Sequence, residues 1–210
     1  MVLRFQAIVL MNLHWKWQDK LIAMKSNLSI YKLTAIGILT GLSVVLVFLI
    51  HVPIFPSAPF LEYDPADIPI LLVAFAFGPV AGVISTVIAS IIQGLTVSSH
   101  SGFYGILMHI LSTGSYVLVA GLIYSFKRDK VGGCIGLLAG LVVSAFVMAV
   151  ANLIITPLFM GVPIEAVKQM LIPVIIPFNL IKSGINGVIV LVIYKPISVY
   201  ILKGTELRKS

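Results

Sequence analysis

The chain has 210 residues, of which 60% are hydrophobic and only 10% are charged, and its mean hydropathy is +1.13. Soluble domains carry about 25% charged residues, so this composition excludes a globular protein with a water-exposed surface. The formal net charge is +7, but the basic residues lie at the ends of apolar runs and do not form the repeated aromatic-basic pattern of a nucleic-acid-binding surface. We therefore expect a multi-pass protein of the cell membrane that contacts the lipid bilayer and no nucleic acid.

The first 24 residues differ from the rest of the chain. Their weakly apolar start is too short to cross a bilayer, lacks a small-residue cleavage site, and is interrupted by the His-Trp-Lys-Trp sequence at 14–17. We predict a cytoplasmic extension over 1–24, followed by a membrane domain over 25–210. A second interpretation stays open, in which Met24 is the natural start of the protein.

Apolar runs separated by short polar or proline-rich segments make up the membrane domain. The run that follows the proline-rich loop at 52–65 is divided by Gly78-Pro79, which favours two helices over one kinked helix. This division also places the basic residues of the N-terminus, of the 127–130 loop and of the C-terminus on one side. We predict an all-α integral membrane protein with six transmembrane helices and both termini cytoplasmic. The predicted helices are 31–51, 66–78, 79–95, 103–126, 131–157 and 174–202.

The second predicted helix is short for a membrane span. A dozen residues extend about 20 Å at 1.5 Å per residue, whereas the hydrocarbon core is about 30 Å thick. Irregular backbone persists at membrane depth only where protein covers it or where it lines a water-filled cavity. We therefore expect the proline-rich outer loop before this helix to enter the bundle beside a cavity.

Strongly polar side chains are concentrated in the outer half of four predicted helices. Such groups are costly inside a membrane, so each of them marks a candidate functional site. Asn179, Lys182 and Asn186 are spaced i, i+3 and i+7 and therefore share one helix face. We predict an outward-facing binding pocket. Its predicted residues on the third to sixth helices are Gln93, His109, Asn152, Asn179 and Lys182.

Lys182 is the one charge placed well inside a predicted span, and no carboxylate inside a span is available to pair with it. We expect its partner to be a loop carboxylate, with Glu62 favoured, or a bound ligand; alternatively, the side chain extends to the outer interface. For His109 we favour a hydrogen bond between helices over a ligand contact. For Asn152 we favour a ligand contact, and Gln93 at a helix end fits either role.

Several kinds of active site are missing from the sequence. It contains no Walker-type phosphate loop, no His-x-x-x-His pair on a span and no Gly-x-Ser-x-Gly turn. A single cysteine, Cys134, excludes an internal disulfide and a cysteine-based metal site. These features indicate a capture subunit without enzymatic activity, cofactor or metal. Gly37 and Gly41 on the first helix form a small-xxx-small pattern that allows a partner helix to approach closely.

One segment resembles a known family. Residues 59–72 read PFLEYDPADIPILL and residues 77–82 read FGPVAG, and together they resemble the riboflavin-binding S-components of energy-coupling factor (ECF) transporters. The resemblance covers 31–202. It implies six helices, an outer pocket capped by the first outer loop, and assembly with a T-component and two ATP-binding subunits. The family's Ala-x-x-x-Ala docking motif in the first helix has its nearest match here in Gly37 and Gly41.

Riboflavin fits the predicted pocket chemically. It is uncharged, with a flat apolar ring system, a polar ring edge and a hydroxylated tail. Asn152 and Asn179 can donate and accept hydrogen bonds along the ring edge, and Lys182 can donate to a carbonyl or ring nitrogen. The remaining predicted contacts are Glu62 and Gln93 to the tail, and Phe60, Tyr63 and Tyr104 to the ring.

Two alternatives remain at this stage. An S-component for another vitamin, such as thiamine or biotin, would have the same fold. A carboxylate ligand would suit Lys182, but three asparagines favour a neutral, amide-like edge. A stand-alone facilitator would require polar residues through the full depth of the membrane, and the predicted inner half contains few.

Overall fold

The computed structural model describes residues 30–56 and 58–206, so the extension predicted over 1–24, including Met24, lies outside the described residues. The fold is almost entirely helical, with one short hairpin. Its helices and strands are α1 (Ile30–Leu49), β1 (Val52–Pro53), β2 (Glu62–Tyr63), α2 (Asp67–Phe77), α3 (Pro79–Leu95), a 3₁₀ turn (Ser99–Ser101), α4 (Gly102–Phe126), α5 (Lys130–Met160), α6 (Ile164–Met170), a π-helical turn (Leu171–Ile175) and α7 (Ile176–Glu206).

Four stretches in the described part of the chain are long and apolar enough to cross a membrane. The helices α2 and α3 are also apolar but shorter, with 11 and 17 residues. A helix is thus present at each of the six predicted apolar runs. The four long stretches are Ile30–Leu49, Gly102–Phe126, Lys130–Met160 and Ile164–Tyr194.

The boundary between α2 and α3 lies where the sequence predicts it. Gly78 adopts φ 102°, a conformation that side chains disfavour, and its N–H donates to Ala74 O at the end of α2. Pro79 then occupies the first position of α3, where its missing N–H leaves no helical hydrogen bond unmade. Two separate helices are therefore confirmed over one kinked helix. The first nine residues of α2 are buried, so α2 lies at the centre of the bundle.

The core packs tightly around Tyr116 on α4. Its hydroxyl donates to Ser183 O on α7 at 3.0 Å. A Cβ placed on Gly140 would lie 2.7 Å from the Tyr116 ring, and one on Gly187 would lie 2.5 Å from its hydroxyl. Glycine at these two positions therefore lets α5 and α7 approach the tyrosine closely.

The loop before α2 enters the protein, as its short following helix predicts. It contains the β1–β2 hairpin, in which Val52 pairs with Tyr63. Its side chains at Ala58, Leu61 and Ala66 are buried. The first two pack with residues of α6, α7 and the π-helical turn. The loop is thus part of the folded core at this end of the bundle.

Two predicted boundaries at the cavity end are wrong. Helix α5 continues past Pro157 to Met160 and ends at Gly161, which has φ 66°. The last long helical stretch begins at Ile164 and passes through a π-helical turn, where the N–H of Ile176 bonds to Leu171 O, five residues back. Pro173 lies in this turn and has no N–H, so the regular i to i−4 pattern cannot continue there.

Candidate functional site

A cavity opens between α1, the loop before α2, and helices α3, α4, α5 and α7. The space between these elements, including the part that opens to the surface, is about 990 Å³. Apolar and aromatic side chains make up much of its wall, and polar groups from four helices point to it. Seven of the nine predicted ligand contacts line this cavity: Phe60, Glu62, Gln93, Tyr104, His109, Asn179 and Lys182.

Lys182 forms a buried ion pair. Its Nζ lies 2.7 Å from Asp64 Oδ2, and the two side chains are only 8% and 11% exposed. The preference for Glu62 as its partner is therefore wrong, because the loop places Asp64 against α7. The lysine does not extend to the surface either. Burial favours a raised pKa for Asp64, but the Lys182 ammonium and the Ala66 N–H hold its pKa below the ordinary value.

A second carboxylate, Asp67, is buried in the first turn of α2. It accepts hydrogen bonds from Thr113 Oγ1 at 2.6 Å and from Asn186 Nδ2 at 3.0 Å. The expectation that no carboxylate lies within the spans is therefore wrong. Asp67 lies at the very start of α2, and the buried loop carries this first turn into the bundle.

Asn186 and Tyr63 belong to this scaffold and do not line the cavity. The Asn186 amide donates to Asp64 O at 3.1 Å and to Asp67, and its oxygen accepts from the Tyr63 hydroxyl at 3.0 Å. These bonds join the loop, α2 and α7. The geometry thus places Tyr63 behind the cavity wall, away from the ring contact predicted for it.

His109 lines the cavity and also links two helices. Its Nδ1 lies 2.7 Å from Ser90 Oγ on α3, and the Ser90 hydroxyl also donates to Thr86 O. The predicted hydrogen bond between helices is confirmed. The ring also lies in the wall of the cavity, so the imidazole can contact a ligand without losing that bond.

Gln93 is the side chain with the clearest unmet hydrogen bond. It is 4% exposed and lines the cavity. Its Nε2 is buried, and no described residue accepts a hydrogen bond from it. Buried polar groups in folded proteins are nearly always paired. This amide is therefore available to a molecule bound in the cavity.

The two predicted asparagines differ. Asn179 lines the cavity and donates to Ile175 O at 2.8 Å, while no described residue donates to its side-chain oxygen. Asn152 is fully buried but does not line the cavity. Both of its amide atoms are used within α5, by Met148 O and by the Thr156 hydroxyl, each at 2.8 Å. The geometry thus gives Asn152 an indirect position, behind Thr156, which does line the cavity.

Several lining residues were not predicted from the sequence. Hydroxyl and methionine side chains are common inside membrane helices, so neither type stands out there. Phe159 comes after Pro157, where the fifth helix was predicted to end. These residues line the cavity together with residues of other helices, and this arrangement is visible only in the folded structure. The overlooked lining residues include Ser90, Met108, Ser112, Met148, Thr156, Phe159 and Phe178.

Comparison with known proteins gives a consistent result. Residues 31–194 match the family model for the substrate-specific component of ECF transporters. The chain is 29% identical over 171 residues to the riboflavin transporter RibU of Staphylococcus aureus (strain TCH60), covering 78% of this chain and 88% of that protein. It is 24% identical over 192 residues to the riboflavin transporter FmnP of Bacillus subtilis (strain 168), covering 87% and 98%.

A solved structure shares the fold. The S component of a bacterial ECF transporter superposes with a TM-score of 0.71 at 29% identity, covering 80% of this chain and 96% of that one. The family model matches well over half of the 210 residues, and the buried loop, helices and cavity lie within the matched range. The chain therefore belongs to the family of substrate-specific components of ECF transporters.

Proposed function

We propose that this chain captures riboflavin outside the cell for uptake by an ATP-driven ECF transporter. The cavity carries the proposal, because it combines aromatic walls with a buried amide nitrogen at Gln93 that has no partner among the described residues and an amide oxygen at Asn179 that accepts no hydrogen bond from them. The curated relatives named above are riboflavin transporters. A flat ring with a polar edge and a hydroxylated tail matches both features of the cavity.

The ring system would lie against the aromatic walls, with its polar edge toward α7. Phe60, Tyr104 and Phe178 supply apolar surface. Asn179 offers an acceptor, and Lys182 has two N–H bonds beyond the one directed at Asp64. Gln93 would bond to the tail from the α3 side.

A neutral ligand suits the electrostatics better than an acid does. Asp64 already compensates Lys182, so the ammonium is not a free counter-charge for a carboxylate. This pairing weakens the case for biotin as the ligand. A facilitator fits less well, because the other end of the bundle is closed by packed aromatic rings: Phe75 and Tyr124 stack at 4.4 Å.

We place six spans in the membrane, with both termini cytoplasmic and the cavity facing outward. The basic residues Lys127 and Arg128 lie between α4 and α5, and Lys130 begins α5. They are about 35 Å along α4 from the cavity residue Tyr104. The positive-inside rule then puts the cavity end outside. The buried loop compensates for the short α2.

The partner subunits would dock on α1. Gly37 and Gly41 face away from the bundle, and a Cβ at either would meet no atom within 4 Å. On the buried side of α1, Thr40 and Ser43 bond to Ser85 and Ala66 O. The glycine face is thus free for a T-component, which would act with two ATP-binding subunits.

Binding to the purified protein tests the proposal. Protein in detergent is titrated with riboflavin in plain buffer, without nucleotide or sodium, and quenching of flavin fluorescence reports the bound fraction. We expect saturation at one riboflavin per chain, with thiamine and biotin unable to displace it. A monodisperse, folded preparation that binds no riboflavin would contradict the proposed function.

A further inference from the structure

The ionised side chains lining the cavity do not balance in charge. Asp64 and Lys182 compensate each other across 2.7 Å. Glu62 also lines the cavity, and no described residue forms an ion pair with it. At pH 8 free histidine is largely neutral, so the lining then carries one uncompensated negative charge.

Glu62 is held in place by the fold. It lies on β2, where it pairs with Pro53 of the hairpin, and it is half-buried. The next residues of the same loop lead to Asp64, which is anchored to α7 through Lys182. The carboxylate of Glu62 therefore stays in the cavity wall, where its field is screened less than that of a fully exposed group.

A second buried negative charge lies behind the ion pair. Asp67 is 1% exposed, and its partners Thr113 and Asn186 are neutral hydrogen-bond donors. Among the ionisable groups described at this end of the bundle, carboxylates therefore outnumber ammonium groups. An anion entering the cavity meets this excess and finds its one lining ammonium already paired.

We propose that the cavity selects the uncharged vitamin over its phosphorylated form, and that Glu62 sets this preference. The inference rests on the proposed function, because it concerns which flavin occupies the same cavity. A phosphate monoester carries a charge of about −1.5 to −2 at neutral pH. Like charges brought together without a counter-ion are costly, and such repulsion is one way in which a binding site rejects a wrong ligand.

Salt provides a check on the repulsion. Glu62 lines the cavity, and its charge repels a phosphate on a flavin bound there over distances set by the Debye length. That length is about 10 Å at 0.1 M salt. Repulsion should therefore fall as salt is added, which gives a readout that needs no variant.

The test compares three ligands at pH 8: riboflavin, flavin mononucleotide, and the neutral 5′-acetate ester of riboflavin as a control for size. For the parent protein at low salt we expect flavin mononucleotide to bind at least about tenfold more weakly than the neutral ester, a ratio worth about 1.4 kcal/mol. Glu62→Gln keeps an acceptor but removes the charge, so it should lower this ratio several-fold. Glu165→Gln is the matched control, because that exposed acid pairs with Lys168 and does not line the cavity.

The outcomes separate cleanly. A ratio that shrinks in Glu62→Gln and at high salt, but not in Glu165→Gln, supports the inference. Equal affinity for the ester and flavin mononucleotide in the parent would overturn it. A ratio of these two affinities that changes neither with salt nor in Glu62→Gln would overturn it as well. Failure of riboflavin itself to bind would instead overturn the proposed function on which the inference rests.

Discussion

Lys182 lines the cavity from α7 and directs one N–H bond at Asp64, and we propose that its other N–H bonds contact the ligand. Removing one partner of a buried ion pair leaves an uncompensated charge, whereas removing both leaves none. The pair also joins the loop to α7 across 118 residues of sequence. Its contribution to folding and its contribution to binding can therefore be separated by experiment.

We expect Lys182→Met and Asp64→Asn to lower stability by different amounts, and Asp64→Asn/Lys182→Met to recover most of the loss. Lys182→Met alone strands a buried carboxylate, which costs about 3–5 kcal/mol. Riboflavin affinity should stay low in the double variant, because the donor to the ligand is gone. The measurements are thermal unfolding and titration in one detergent, with the exposed Lys168→Met as control. Full riboflavin affinity in the double variant would exclude a ligand contact by Lys182.

Gln93 offers a sharper test, because its amide has no partner in the described residues. Gln93→Leu should weaken riboflavin binding about five- to 150-fold, as expected when a buried ligand group loses about 1–3 kcal/mol of hydrogen bonding. Folding should be unharmed, since an apolar side chain replaces an unpaired amide. Asn152 provides the contrast, because both atoms of its amide are hydrogen-bonded within α5. The main effect of Asn152→Leu should therefore be a lower melting temperature. Unchanged riboflavin affinity in Gln93→Leu would show that Gln93 of α3 does not contact riboflavin.

At the scale of single helices, Gly78 forms the junction at which α2 ends and α3 begins. A Cβ at this position would meet no atom within 4 Å, so the only penalty for a side chain is its backbone conformation at φ 102°. Gly114, inside α4, has equally open space but an ordinary helical conformation. Comparing substitutions at the two glycines therefore separates the energetic cost of backbone strain from that of side-chain packing.

We expect Gly78→Ala to destabilise the protein by about 1–3 kcal/mol, the cost of holding a residue with a Cβ at φ 102° and ψ 162°, a region of backbone conformation that glycine almost alone adopts. Gly114→Ala should be neutral or stabilising, because alanine favours a helix by up to about 1 kcal/mol over glycine. Thermal unfolding of both variants in the same detergent provides the comparison. Equal stability of the two variants would mean that α2 and α3 readily adopt another junction.

Helix α1 supplies the second test at this scale. Gly41→Leu adds bulk to the face that points away from the bundle, so it should leave riboflavin binding intact and block uptake by obstructing a partner helix. Val142→Leu on the exposed face of α5 is the control for added bulk, and it should affect neither. Loss of binding by isolated, folded Gly41→Leu protein would contradict the docking assignment.

At the scale of the whole molecule, the cavity and the basic 127–130 segment lie at opposite ends of the bundle. This arrangement gives the protein one open end lined by polar groups and one end closed by Phe75, Tyr124 and Tyr194, whose rings pack together. Capture from one side follows directly.

Membrane orientation can be measured with single cysteines. The two variants Lys168→Cys and Lys127→Cys are made separately in a Cys134→Ser background. Lys168→Cys should react with an impermeant maleimide on intact cells, whereas Lys127→Cys should react only after lysis. Both lysines are well exposed, with side chains 59% and 57% accessible, so each site is open to the reagent. Labelling of position 127 in intact cells would overturn the proposed orientation.

Much of the fold was predictable because its determinants are local. Apolar runs long enough for helices, the Gly78-Pro79 break and the polar residues concentrated toward one end are all visible in the sequence alone. The same is true of the buried loop, whose entry into the bundle follows from the short α2. The π-helical turn was not visible, because prolines near a helix start are equally compatible with a helix that begins after them.

The partners within the site were decided by the tertiary structure. Tyr63 and Asn186 are 123 residues apart and Thr113 and Asp67 are 46 apart, so no periodicity along the chain brings them together. Glu62 and Asp64 are both loop carboxylates that could pair with Lys182. Asp64 forms the ion pair because of the way the hairpin packs against α7. The sequence by itself determined the membrane class and which polar groups are present. Packing decided which of those groups satisfy one another and which, like Gln93, are left facing a cavity.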